Sequence, residues 1–258
     1  NWCIMNARYV PPIEADAETQ MAIDEALLRT YDENEGEPTF RFFRFKPSAI
    51  TLGYTQPVEK TIDEEVCKKE GIPFVRRITG GGTVFHDHQG EITYSMVVEK
   101  KYGDIESSFK ENLQPIINTL KELGLDAKFK PYNDILVGKR KISGSAQRRG
   151  KKGMLQHGTL MYATDLEKLS NILKLDEEKL KKKGADSFLD LVTTIEKEKG
   201  EKPEPDELIE MMKEEYEKHF GGEIEEKGLS ERERQLADKL EKKYSSKGWT
   251  RNREWDRY

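Results

Sequence analysis

Four short stretches concentrate the residue types that can bind or move charge. The longest, Arg76-Arg77-Ile78-Thr79-Gly80-Gly81-Gly82-Thr83-Val84-Phe85-His86-Asp87, sets two guanidinium forks just before three consecutive glycines. Glycine lets backbone N–H groups approach a ligand closely and face an anion, and arginine forks match carboxylate or phosphate. A bare triple glycine is as readily a hairpin turn, but the Arg pair and the following His-Asp make this run far more specific. It lacks the GK[ST] ending of a Walker A loop and does not read as GxGxxG. Asn133-Asp134 opens the apolar run Ile135-Leu136-Val137. There Asp can hold Mg²⁺ and Asn can bond a nucleotide, with an Asx-capped turn as the even alternative.

The third stretch, 139–152, holds seven basic residues in fourteen and no acid. As a nucleic-acid patch it lacks interleaved aromatics. It can instead be a solvated hairpin, or a strand that turns one lysine inward toward a phosphate. If 140–146 is a strand, alternation puts Lys141 with Ser143 and Ser145 and opposite Ile142, which makes Lys141 the inward candidate. The fourth is Gln156-His157-Gly158-Thr159-Leu160. A lone histidine in an apolar segment is more often a hydrogen-bonded core residue than a catalyst. With four His and two Cys, none at ligand spacing, a zinc site is not expected.

These stretches need elements to hold them. Residues 16–31 carry Met21, Ala22, Ala26, Leu27 and Leu28 at helical spacing, with the acids expected on the other face. The runs 40–45 and 48–54 read as adjacent strands, and 73–77 as a buried strand leading into the glycines. Thr61 with Glu64 predicts a capping box for a helix ending near Gly71. A strand at 91–100, a helix over 107–123, and strands at 126–130, 133–137, 140–147 and 153–162 follow. From about residue 164 the chain reads as charged helices, at 164–173, 176–183, 186–197, 205–219 and 230–245, with loops at 196–207 and 221–223. Strands joined by short turns favour a mixed or antiparallel sheet, hence an α+β protein.

Composition narrows the class. The 258 residues include 44 Lys+Arg and 49 Asp+Glu, a net charge of −5, and 36% are charged. Opposite signs that nearly cancel describe a folded protein with a Lys/Glu-rich surface, a composition enriched in thermophiles. Cys3 and Cys67 exclude a disulfide-stapled scaffold and read as free thiols of a reducing compartment. No apolar run approaches the ~18 residues of a membrane span, and a cytoplasmic protein is expected.

Taken in order, RRITGGGTVFHD, NDILV, KRKISGSAQ and LQHGTL, together with MAIDEALL at 21–28, resemble the catalytic domain of the lipoate–protein ligase family. The resemblance covers roughly residues 15–165 and extends more loosely to GWTRNREW at 248–255. It implies a fold shared with biotin ligases and related to class II aminoacyl-tRNA synthetases: α+β, with a mixed, mainly antiparallel sheet flanked by helices. It implies that ATP and Mg²⁺ activate lipoate or octanoate to an acyl-adenylate, whose acyl group then passes to an acceptor lysine. By resemblance, Lys141 is the catalytic lysine on the lipoyl carboxylate and α-phosphate. Arg77, Gly80, Gly81, Gly82, Thr83, Val84 and Phe85 form the lipoate and adenylate loop. Asn133 is a nucleotide contact, Asp134 a Mg²⁺ ligand, and His157 with Gly158 lines the lipoyl pocket.

The same resemblance implies one catalytic domain over 1–258, helical and charged from about 164, without the C-terminal accessory domain of long members. A separate small accessory protein is then expected, as in two-component ligases. Acceptors would be lipoyl domains of 2-oxoacid dehydrogenase acyltransferase subunits, or glycine-cleavage H protein; both are generally acidic. Neither a membrane nor a nucleic acid is an expected partner. The nearest rival is an octanoyltransferase of the same fold, which needs a cysteine nucleophile about where Ala127 and Lys128 stand. A nucleic-acid-binding module on a synthetase-like scaffold ranks below it.

Overall fold

Strand β1 (Met5–Val10) enters an eight-stranded sheet whose other members come from β2 (Thr39–Phe43), β6 (Glu91–Glu99), β7 (Ala127–Lys130), β8 (Asp134–Val137), β9 (Arg140–Arg149), β10 (Gly153–Met161) and β11 (Gly221–Glu226). The computed structural model describes residues 5–100, 103–173 and 186–255. The order is β11-β1-β2-β6-β10-β9-β8-β7. β1 runs parallel to both β11 and β2, and every other pairing is antiparallel. This is the expected α+β class. A second sheet, β4-β3-β5, joins β3 (Ala49–Leu52), β4 (Phe74–Arg76) and β5 (Val84–His86).

Each face of the large sheet is covered because its strands are apolar on both sides. On one face Phe40, Tyr94, Met96 and Met154 pack against helices α4 (Gln114–Glu122) and α7 (Pro205–Phe220). On the other, Phe43, Val97 and Leu155 meet α1 (Ala17–Asp32) and α8 (Glu231–Tyr244). Asp16 caps α1 by accepting from Thr19 N at 2.9 Å. The helix buries the stripe Met21, Ala22, Ala26, Leu27 and Leu28.

Several expectations need correction. Asp24 and Glu25 of α1 are buried rather than facing solvent, at 1% and 4% exposure, because each meets a buried cation. β2 and β3 lie in different sheets; the turn between them carries the chain from one to the other. The cap of α2 (Glu64–Lys69) is Asp63, which accepts from Glu65 N and Val66 N, and Thr61 ends a preceding 3-10 turn. The helix expected over 107–123 is two, α3 (Ile105–Asn112) and α4, meeting at Leu113. Residues 164–173 form α5 (Leu166–Ile172), while 186–197 give a 3-10 turn and the short α6 (Ile195–Lys199). Gly221 ends α7 with φ +66 and leads directly into β11, so the loop expected at 221–223 is a strand. The helix expected at 176–183, and Cys3, lie outside the described residues.

Candidate functional site

The two sheets meet around an open cavity of about 610 Å³. The small sheet supplies Thr51, Arg77 and the run from Gly81 to His86; the large sheet supplies Asp134, Lys141, Gly144 and His157. Met21, Leu136, Met161, Leu169, Phe188 and Val192 give it apolar walls.

Register explains which side chains reach it. Ala146 pairs with His157 and Gly144 with Thr159, and directly opposed residues of an antiparallel pair share a face. Between β8 and β9 the pairing steps from Ile135↔Ser143 to Leu136↔Lys141, a bulge that leaves Ile142 unopposed. The bulge moves Ser143 and Ser145 onto the buried side with Ile142, where Ser143 Oγ and Tyr94 OH lie 2.8 Å apart. Lys141 therefore stands opposite those serines, not beside them as strict alternation predicts, and it still lines the cavity. Its Nζ lies 2.7 Å from Asp134 Oδ1. A Cβ at Gly144 would come 2.5 Å from Nζ, so the missing side chain gives the lysine its path across β9.

Arg77 was expected to reach an anion directly, but its guanidinium bonds are spent on the loop. Nη2 donates to Gly80 O and Gly82 O, each at 2.7 Å. Nε donates to Thr79 Oγ1 at 2.9 Å and Nη1 to Thr51 O at 3.0 Å. Complete burial pulls its pKa down to about 10, leaving it charged at neutral pH. Gly81 takes φ +91, the backbone region that favours glycine. Around Gly80 and Gly82 an added Cβ would meet nothing within 4 Å, so the loop backbone borders open space. Thr83 Oγ1 donates to Gln56 Oε1 at 3.2 Å, and Val84 and Phe85 follow in β5, Phe85 packing into the core below.

His157 is held at both nitrogens, Nδ1 2.7 Å from Asp24 Oδ2 and Nε2 2.7 Å from Thr79 Oγ1. The ionised Asp24 carboxylate can only accept, so His157 Nδ1 carries the proton that faces it. Asp24 Oδ1 takes Arg41 Nη2 at 2.7 Å and Ser95 Oγ at 2.9 Å. Burial alone would raise this carboxyl, but Arg41 and His157 outweigh it and hold the pKa at about 2. A second buried set surrounds His86, with Thr51 Oγ1 3.0 Å from Nε2 and Glu91 Oε2 3.1 Å from Nδ1. Burial drives His86 well below and Glu91 well above their ordinary ranges.

Asn133 and Asp134 stand at the turn between β7 and β8. Asn133 Nδ2 donates to Ser145 O, and its own carbonyl accepts from Ser145 N at 3.0 Å. Gly158 borders the cavity only through its backbone, since a Cβ there would point to the other face and meet Tyr94 OH at 2.3 Å. Sequence reading missed Asp24, Arg41 and Glu91, and it gave Thr79 and His86 no role of their own within the glycine-rich stretch. The signal for Asp24 was its place three residues after Met21, on the buried stripe.

The basic run is not one patch. Arg140 pairs with Glu198 at 2.6 Å, Arg148 stands 5.9 Å from the Tyr54 ring centroid, and the N–H groups of Lys151 and Lys152 donate to Asp32. Cys67 lies in α2, packed with Ile50, Leu52 and Ile72 and away from the cavity, its thiol pushed up to about 11 by burial. Among the described residues no group of three or more His, Cys, Asp and Glu can hold a metal, and no helix is long and apolar enough to cross a membrane.

The family model of the lipoyl protein ligase A/B catalytic domain matches residues 16–217. The chain belongs to this family. It is 34% identical over 209 residues to octanoyltransferase LipM of Geobacillus kaustophilus, covering 70% of this chain and 73% of the relative. Its structure is similar to that of a bi-partite lipoate protein ligase from Thermoplasma acidophilum, described with its E2 lipoyl domain. That match has a TM-score of 0.86 and 31% identity, over 98% of this chain and 99% of the other. A lipoate-protein ligase A bound with ATP matches at TM-score 0.82 and 28% identity, over 95% and 98%. The chain is thus an enzyme of the family that holds both lipoate ligases and octanoyltransferases.

Proposed function

We propose that the chain is an ATP-dependent lipoate–protein ligase. The observation that carries this reading is a cavity with a lysine ammonium beside a glycine-rich anion loop and no thiol among its described lining. In the first half-reaction a lipoate or octanoate carboxylate oxygen attacks the α-phosphorus of ATP and pyrophosphate leaves. Lys141 Nζ and the loop N–H groups would stabilise the charge that builds there, the kind of fixed electrostatics that dominates such barriers. Mg²⁺ would be held by Asp134 together with nucleotide oxygens, as a cation that binds through one or two carboxylates and phosphates, and would offset the charge on pyrophosphate. In the second half-reaction an acceptor lysine amine attacks the acyl carbon and AMP leaves. The apolar walls would bury the fatty chain at about 0.8 kcal/mol per CH₂.

The bi-partite ligase described with its E2 lipoyl domain supports lipoyl domains as acceptors and a separate accessory subunit. Octanoyl transfer is the second reading, favoured by the similarity to LipM. Against it, the resemblance puts the cysteine that chemistry needs about where Ala127 and Lys128 stand, and the Cys67 thiol is buried and protonated. Incubation with ATP, Mg²⁺, octanoate or lipoate and a lipoyl domain should yield acylated lysine, AMP and pyrophosphate. Acyl transfer from octanoyl-carrier protein without ATP would instead establish the transferase.

A further inference from the structure

The C-terminal segment lies beyond the residues matched by the family model, yet the fold returns it to the edge of the small sheet. After α8 the chain makes one π-helical turn, Gly248–Asn252, closed by Arg253 N donating to Gly248 O. β4 is an outer strand, and Arg77 N bonds inward to Leu52 O at 3.0 Å, so the carbonyl of Arg76 points outward. Trp249 Nε1 donates to that carbonyl at 2.8 Å. In return Arg76 Nε donates to Thr250 O at 2.9 Å. Its Nη1 reaches Gly53 O and Tyr54 O at 2.9 and 3.0 Å.

Both ends of Arg76 are thereby fixed, and both lead to the triglycine loop. The next residue is Arg77, which holds the carbonyls of Gly80 and Gly82. Gly53, gripped by the Arg76 side chain, is the loop's floor: a Cβ there would stand 2.0 Å from Gly81 O. Tyr54 N donates to Thr79 O at 2.9 Å. The indole is itself anchored, with Lys243 Nζ 3.8 Å from its centroid and bonded to Glu25 of α1 at 2.6 Å.

We propose that Trp249 is a positioning residue: by its reciprocal bonds with Arg76 it sets the shape of the triglycine loop that receives the nucleotide anion. This rests on the ligase reading of the loop. Trp249→Phe keeps a ring beneath Lys243 and removes the N–H. Amide hydrogen exchange should then speed up at Tyr54 and Arg77 while the amides of β6 and β10 stay as protected as before. In pyrophosphate release the variant should lose about ten-fold in kcat/KM, mainly through KM for ATP, since a small misplacement of binding groups costs up to about 10²-fold. Arg76→Lys should reproduce the exchange pattern. Unchanged exchange and KM would overturn the proposal. So would exchange that rises evenly through the chain, which would make Trp249 a core residue only. The exchange measurement needs no substrate, so it decides the latch even if the wild-type protein shows no ATP-dependent activity.

Discussion

Lys141 reaches the cavity along a path that three neighbouring residues create. Ile142 forms the bulge, Gly144 leaves the way across β9 clear, and Asp134 receives the ammonium. Under the ligase reading, Lys141→Ala should cut pyrophosphate release by about 10²–10³-fold, the usual loss for one fixed donor on developing charge. Turnover near wild type would remove it from the chemistry. Asp24 differs in kind, because its carboxylate neutralises a buried guanidinium and orients His157. Asp24→Asn should destabilise the protein by about 3–5 kcal/mol, since Arg41 is left buried without its partner. The pH dependence follows from the same group. Its folded pKa of about 2 lies below the unfolded value of ~3.9, so its stabilisation is complete above that value and is lost as the pH falls through about 2. Acid unfolding of the Asn variant should therefore be flatter between pH 4 and 2 than that of the wild type, which equilibrium denaturation at a series of pH values measures. Lys141 was legible because a basic residue in a strand can be assigned a face. The relay behind His157 was not, because its members are 17 to 133 residues apart and meet only through the tertiary fold.

At the scale of elements, strands were readable where each has a polar turn at its ends, as for β7 to β10. Faces were less so: a single unopposed residue at Ile142 reversed the side taken by Ser143 and Ser145. The strand β11 was hidden for another reason. Gly221-Gly222-Glu223 has a turn's composition, and the segment is a strand because β1 offers an unpaired edge beside it. Likewise the break at Leu113 falls inside a continuous apolar helical pattern, and the charge pattern of α1 hid two buried acids whose cations come from β2 and α8. Gly158 shows how an element contact can pass for a site residue. β10 admits the Tyr94 ring from the neighbouring strand β6 only because position 158 has no side chain. Gly158→Ala should cost about 1–3 kcal/mol of stability, the usual penalty for overpacking. Tyr94→Leu in the same chain should recover part of it; an Ala variant as stable as wild type would show that the strands yield without strain.

For the whole molecule, near-cancelling charge is organised rather than scattered. Arg232 bridges Glu33 and Glu35, and Lys227 bridges Glu37 and Glu225, tying the C-terminal third to the start of the large sheet. Networks of this kind gain weight with temperature, and a melting temperature above the ~45–65 °C of mesophile domains is expected in a calorimetric scan. The cavity breaks the balance. Lys60, Arg77, Lys130, Lys139 and Lys141 line it against a single carboxylate, Asp134, among the described residues, in a chain of net charge −5. Under the ligase reading, a positive mouth on a negative protein would attract an acidic acceptor toward one place and repel it elsewhere, an effect on the association rate. The basic run 139–152 is the densest positive stretch of the sequence, which makes Arg148, Arg149, Lys151 and Lys152 the obvious place to look for such a field. The fold places them elsewhere: Arg149 pairs with Met154, whose side chain lies in the core on the opposite face, and Lys151 and Lys152 sit at the hairpin end beside Asp32. Reversing Lys60, Lys130 and Lys139 to Glu should therefore slow transfer from preformed acyl-adenylate to a lipoyl domain by ten-fold or more at low salt, within the ~10–10³ range of electrostatic steering. Because screening acts over about 8 Å at physiological ionic strength, the gap from wild type should narrow as salt rises. Reversing Arg149, Lys151 and Lys152 should change transfer little. If that second triple variant is the slower one, the acceptor approaches over the hairpin end and not across the mouth of the cavity.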